Sequence, residues 1–139
     1  MDLQRVVEQY HLACDEFSRG NGEPVKEIYS HRADVALANP FGPPVCGWDK
    51  VSKALDYASS RFSDGECTGF ERLASFESPE FATILEIERW QARVGDRKEI
   101  APFDLRVTSI FRREAGDWKL VHRHADRITP PHPDGPLRG

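Results

Sequence analysis

The second half of the chain constrains the fold most. After residue 66, four strand-like runs follow one another, at 67–77, 81–93, 98–113 and 117–128. Turn residues punctuate them at Ser78-Pro79, Gly95-Asp96 and Ala115-Gly116. Connections this short pair neighbours antiparallel, because a parallel return needs a crossover of about a dozen residues or more. The result is a four-strand meander, a sheet that must be covered on at least one face.

The first half supplies the cover. Leu3, Val6, Val7, Tyr10, Ala13, Cys14 and Phe17 recur at helical spacing and form one apolar stripe. Gly20-Asn21-Gly22 closes that helix. Pro24 opens a short second helix with Val25, Ile28 and Tyr29 on its inner side. A strand is expected at 34–39, followed by the turn-rich run Asn39-Pro40-Phe41-Gly42-Pro43-Pro44. A third helix starts near Asp49 as N-cap, with Val51, Ala54, Leu55, Ala58 and Phe62 as its stripe. Helices gathered on one face of an antiparallel sheet make an α+β domain over residues 1–128. Residues 129–139 read as a mobile tail.

Composition excludes several classes of function. A formal charge of -4, with both signs mixed along the chain, leaves no basic stripe for nucleic acid. The first residues carry acids where a signal peptide needs positive charge, and no apolar run is long enough to span a membrane. Cys14, Cys46 and Cys67 are odd in number and lack metal or redox spacing, which fits a reducing, cytoplasmic setting. No cofactor is expected, since no dinucleotide, phosphate-loop or triad signature is present.

A two-residue turn at Ala115-Gly116 sets a register for the last hairpin. Arg106 then lies opposite Ala125, Thr108 opposite Arg123, and Ile110 opposite Val121, all on one face. The other face carries Phe103, Leu105, Val107 and Phe111 beside Trp118, Leu120, His122 and His124. The expectation is that the Arg106 face is concave and lines a pocket. The aromatic-rich face is expected to be convex and to pair with a second copy as a homodimer, because such a patch seldom stays exposed on a monomer.

The element order, the loop Asn39-Pro40-Phe41-Gly42, Gly47, and the hairpin from Arg106 to Arg113 and Trp118 to His124 resemble the SnoaL-like branch of the nuclear transport factor 2 superfamily. The resemblance covers residues 1–128. It implies a cone-shaped fold, with a curved antiparallel sheet, N-terminal helices on its concave face, a pocket between them, and dimers across the sheet. It implies diverse functions as well: isomerases, cyclases, dehydratases, hydrolases and non-catalytic binding domains. Steroid isomerases of this fold use an Asp as general base where this chain has Asn39, and an amide is no base near neutral pH. Their oxyanion pair falls on Ala13 and Thr108, with Tyr10 one turn earlier, so that mechanism is disfavoured. The hairpin also resembles the association domain of calcium/calmodulin-dependent kinases, whose pocket arginines correspond to Arg106 and to Ala125; Arg123 is a candidate replacement for the second.

The substrate-pocket candidates are therefore Asn39, Phe41, Trp48, Tyr57, Arg106, Thr108 and Arg123, with no catalytic residue assigned. Arg106 and Arg123 suit a carboxylate ligand, or else form ion pairs with Asp104, Glu86 or Glu88. The aromatics grip an apolar ligand, or else pack in the core. Glu86 and Glu88 can work as acid and base, but a tip at Gly95-Asp96 points them away from the pocket, and a different loop length would turn them inward. His122, His124 and Asp126 have metal-compatible spacing on one strand, but lack ligands from elsewhere, so no metal is expected. The expected function is a small-molecule-binding protein, acting on a small anionic or apolar ligand by acid/base chemistry if it is an isomerase, cyclase or hydrolase. The alternative is a non-catalytic association domain.

Overall fold

A computed structural model describes residues 2–131. The first helix, α1 (Leu3–Phe17), is capped by Asp2, whose side chain accepts from the Arg5 amide. Its buried residues are Val6, Val7, Tyr10, Ala13, Cys14 and Phe17, the expected stripe. Helix α2 (Glu23–Ile28) carries Pro24 in its first turn. Strand β1 (Ala36–Ala38) is shorter than expected, and a two-residue strand β2 (Val45–Cys46) was not foreseen at all. Helix α3 runs from Trp48 to Ser60 with Gly47 as its N-cap, two residues earlier than Asp49.

The meander follows as β3 (Phe62–Glu77), β4 (Phe81–Val94), β5 (Ala101–Glu114) and β6 (Asp117–Arg127). Phe62 belongs to the sheet and not to the helix. Gly65 lies where β3 passes tightly between the end of α1 and β4: a Cβ there would meet the Ser18 carbonyl at 2.5 Å. The six strands are ordered β2-β1-β6-β5-β4-β3. All neighbouring pairs are antiparallel except β1 and β6, which run parallel. Their connection runs through β2, α3 and β3 to β5, long enough for a parallel return.

The last turn is the expected one: Ala115 and Gly116 both take positive φ, 51° and 88°, and Glu114 pairs with Asp117. The register then departs from expectation. Phe111 pairs with Leu120, but Ile110 pairs with His122, so Val121 is an inserted bulge residue. Beyond it Ser109 faces Arg123 and Arg106 faces Asp126. The bulge keeps Trp118 and Leu120 on the helix side, then brings Arg123 and Ala125 there in place of His122 and His124.

The choice of concave face is also reversed. Leu105, Val107 and Phe111 are buried in the core with the helices, beside Trp90 and Ile84. Arg106, Thr108 and Ile110 therefore lie on the outer face, because alternate residues of a strand point to opposite sides. The aromatic-rich face was expected to meet a second copy; it meets the chain's own helices instead, through Val6, Tyr10, Phe17, Val25, Val51 and Leu55. The expected tail at 129–139 lies mostly outside the described residues. No described helix is long and apolar enough to cross a membrane.

Candidate functional site

Between the helices and the sheet lies a cavity of about 320 Å³. Its walls are aromatic: Phe17, Phe41, Phe62, Trp90 and Phe103 all line it. Phe62 and Phe103 stack at 5.8 Å, Trp90 and Phe103 at 5.9 Å, and Phe41 meets the Phe62 ring edge-on at 5.3 Å. The volume is at the small end of the range for ligand pockets, roughly 300 Å³ upward.

One polar cluster forms the deep end. Glu88 on β4 is fully buried, with 0% of its side chain exposed, and Arg123 on β6 is 11% exposed. Arg123 Nη2 donates to Glu88 Oε1 at 2.6 Å, and its Nε donates to the Tyr10 hydroxyl at 2.6 Å. Tyr10 in turn donates to Glu88 Oε2 at 2.7 Å, and Trp90 Nε1 donates to Oε1 at 3.0 Å. Three elements, α1, β4 and β6, thus meet at one carboxylate. Burial works against the charge of Arg123, but Glu88 outweighs it and holds the guanidinium charged more firmly than in water. Burial pushes the Tyr10 hydroxyl and the Cys14 thiol well up, so both stay protonated at neutral pH.

These bonds leave Nη1 of Arg123 with no hydrogen bond among the described residues, and Arg123 lines the cavity. A guanidinium has five N–H donors in a fixed fork, so the bonds to Tyr10 and Glu88 fix its plane and leave donors on Nη1 without a protein partner among the described residues. Glu88 itself has its acceptors occupied by three donors. It positions Arg123 and is not a free base.

The expected pocket residues divide. Asn39, Phe41 and Arg123 line the cavity. The Asn39 side chain also accepts from the Phe41 amide at 3.0 Å, shaping the loop. Tyr57 is exposed and lines a neighbouring smaller cavity, not this one. Trp48 stacks on His31 at 3.9 Å, away from the cavity. Thr108 is on the outer face. Arg106 is there too, its side chain 63% exposed, 3.9 Å from Asp126. The inserted Val121 and the reversed face together explain why Arg123 and not Arg106 reaches the interior.

Glu86 and Glu88 point inward, but not through a change of parity. Glu88 stands opposite Leu105, where a two-residue turn would put it opposite Phe103, and an even shift keeps it on the same face. Glu86 contacts His11 Nε2 at 2.8 Å, and His11 stacks on Phe70 at 3.7 Å. On the outer face His124 lies 3.2 Å from Asp126. Among the described residues no three His, Cys, Asp or Glu gather as a metal site. Glu88 and Tyr10, the core of the cluster, were not named as pocket residues from the sequence. The one available signal was an acid beside Trp90 in an apolar strand.

The sequence pattern of the SnoaL-like domain family matches residues 4–126. The chain belongs to that family. Solved structures show the same fold for this SnoaL-like protein. A ketosteroid isomerase-like protein from Erwinia carotovora atroseptica superposes with TM-score 0.75 at 18% identity, covering 92% of this chain and 95% of that one. A nuclear transport factor 2-like superfamily protein from Salmonella enterica gives 0.77 at 13% identity, covering 94% and 92%. A protein provisionally named scytalone dehydratase, from Novosphingobium aromaticivorans, gives 0.72 at 14%, covering 91% and 82%. At such identities the likeness establishes the nuclear transport factor 2-like fold alone. Comparison with curated proteins finds no match for the SnoaL-like chain.

Proposed function

We propose that this SnoaL-like protein binds a small, flat, largely apolar organic molecule in the concave cavity, with a ligand oxygen on Arg123 Nη1. The observation that carries this reading is a buried, pre-oriented guanidinium with free donors at the end of an aromatic-walled cavity. Its charge is balanced by Glu88, so the deep site suits a neutral acceptor such as a carbonyl or phenol. Any turnover is placed at that oxygen. Donors fixed before reaction stabilise charge that develops on a carbonyl, as enolisation and dehydration require. The lining residues include one carboxylate, Glu99, at the exposed end, and none near Arg123.

The aromatic walls with unpartnered donors on a buried Arg123 favour ligand binding over an association role alone. A thermal-shift screen of bicyclic aromatic ketones tests the reading, since a ligand for the native state raises apparent stability. Expected is stabilisation by ketones that Ala101→Trp, a filled cavity, abolishes. Ligands that stabilise both proteins equally would sink it. We also propose a homodimer across the outer sheet face, supported by half-buried Leu85, Ile87 and Ile110 there. Light scattering at the monomer mass across micromolar concentrations would refute that.

A further inference from the structure

The cavity has an axis. Cys14, Trp90 and Arg123 line its deep end, while Arg97, Glu99, Pro102 and Arg127 line it and are exposed, marking the mouth. Arg123 and Arg127 lie on one strand, four residues apart, so both project to the concave side with Cα atoms separated by about 13 Å. Arg127 stands opposite Leu105, which confirms the face. Arg97 sits on the loop between β4 and β5. That loop is tied down by the Gly95 amide on the Arg61 carbonyl at 2.8 Å, and by the Arg93 guanidinium on the Lys98 carbonyl.

The mouth arginines differ from most others in the chain. Arg19, Arg72, Arg89, Arg93, Arg106 and Arg112 each lie within ion-pair distance of a carboxylate. Arg97 and Arg127 have no ion pair or side-chain hydrogen bond among the described residues. With Glu99 as the one acid in the lining, the mouth is positive on a chain whose formal charge is -4. A charged guanidinium beside an apolar cavity is satisfied by water or by an anion.

We infer that the natural ligand is an amphipathic organic acid, its apolar ring system in the cavity, its carboxylate between Arg97 and Arg127, and its neutral oxygen on Arg123. This rests on the binding function proposed above and names the substrate class. The 13 Å separation, shortened by two inward-reaching side chains, suits a rigid two-ring body with an oxygen function at each end.

Three matched probes separate the two claims: acetylnaphthalene, acetylnaphthoic acid and the primary amide of that acid. Binding is measured by calorimetry at low and high salt. Acetylnaphthalene reports on the cavity alone. Expected is an acid bound about tenfold tighter than its amide at low salt, the scale of one charge-assisted contact at a wet site. The ratio should shrink as salt rises, because exposed charges are screened. Arg97→Glu/Arg127→Glu, at exposed positions outside the core, should invert the ratio of acid to amide binding, with acetylnaphthalene measured on each protein as the reference for the cavity. If acetylnaphthalene binds but acid and amide are equal, or the double variant keeps the preference for acid, the inference is overturned and the cavity reading stands. If none of the three binds, both fall.

Discussion

Glu88→Gln is the sharpest probe of how the cavity's deep end is built. Glutamine keeps the volume, so no cavity term arises and only charge and hydrogen bonding change. In the native protein the carboxylate, 0% exposed, faces a guanidinium 11% exposed at 2.6 Å. Removing one partner of a buried ion pair costs about 3–5 kcal/mol, because the other charge stays desolvated. One of the three donors, from Tyr10, Trp90 and Arg123, must also face an amide N–H where an acceptor stood. For a domain between the usual size classes, each kcal/mol shifts Tm by about 4 °C, which gives a fall of about 12–20 °C. Urea unfolding followed by far-UV circular dichroism is the suitable assay, since Trp90 fluorescence would respond to the substitution itself. Arg123→Met should cost a similar amount. The double variant should lose much less than the sum, because it leaves no unpaired buried charge. Additivity within about 0.5 kcal/mol, or a single-variant loss below about 1 kcal/mol, would refute the argument and mean that water reaches the pair.

Other outcomes follow from the same geometry. Arg106→Met should change stability by less than about 0.5 kcal/mol and leave ligand binding alone, since its contact with Asp126 is long and exposed; a large loss in urea titrations would contradict its place on the outer face. Phe41→Ala should join the main cavity to the smaller one of about 180 Å³, which shares Asn39 and Phe41 as lining, and so admit bulkier ketones in a thermal-shift series; an unchanged size limit would show the wall lies elsewhere. Burial raises the Tyr10 hydroxyl above its ordinary value of 10.0, so its contribution to stability is complete below that pH and is lost as pH rises through the raised value. Stability measured by denaturation should thus fall above about pH 10, and Tyr10→Phe should flatten that decline. Cys46 is exposed while Cys14 is buried with its thiol pushed up, so a disulfide reagent should label the first and spare the second until unfolding.

Much of this architecture was legible in the residues. The stripe from Val6 to Phe17, the proline of α2 and the Ala115-Gly116 turn are local signals, and local signals survive into the fold. The family resemblance gave the layers of the fold, helices packed on one face of a curved antiparallel sheet. What failed was non-local. The inserted Val121 has no composition to betray it, yet it decides whether histidines or Arg123 face the helices. Phe62 continues the spacing of Ala58 and so fits a helical stripe, although Arg61 caps the helix and β3 begins at Phe62. Nothing near Glu88 in sequence announces Tyr10, which lies 78 residues away. Both sheet faces hold apolar and charged side chains, so alternation alone could not say which one the helices would cover.

The Tyr10–Arg123 contact spans 113 residues of chain and joins the first helix to the last strand. During synthesis the apolar stripe of that helix therefore exists well before the strand that completes its surroundings. At bacterial and eukaryotic elongation rates of about 5–20 residues per second, the wait is roughly 6 to 23 s. Glu88 precedes Arg123 by 35 residues, so for about 2 to 7 s at these rates the carboxylate has no guanidinium partner, and an unpaired carboxylate resists burial. The contacts that satisfy the buried charges at the deep end thus become available only once β6 has been made.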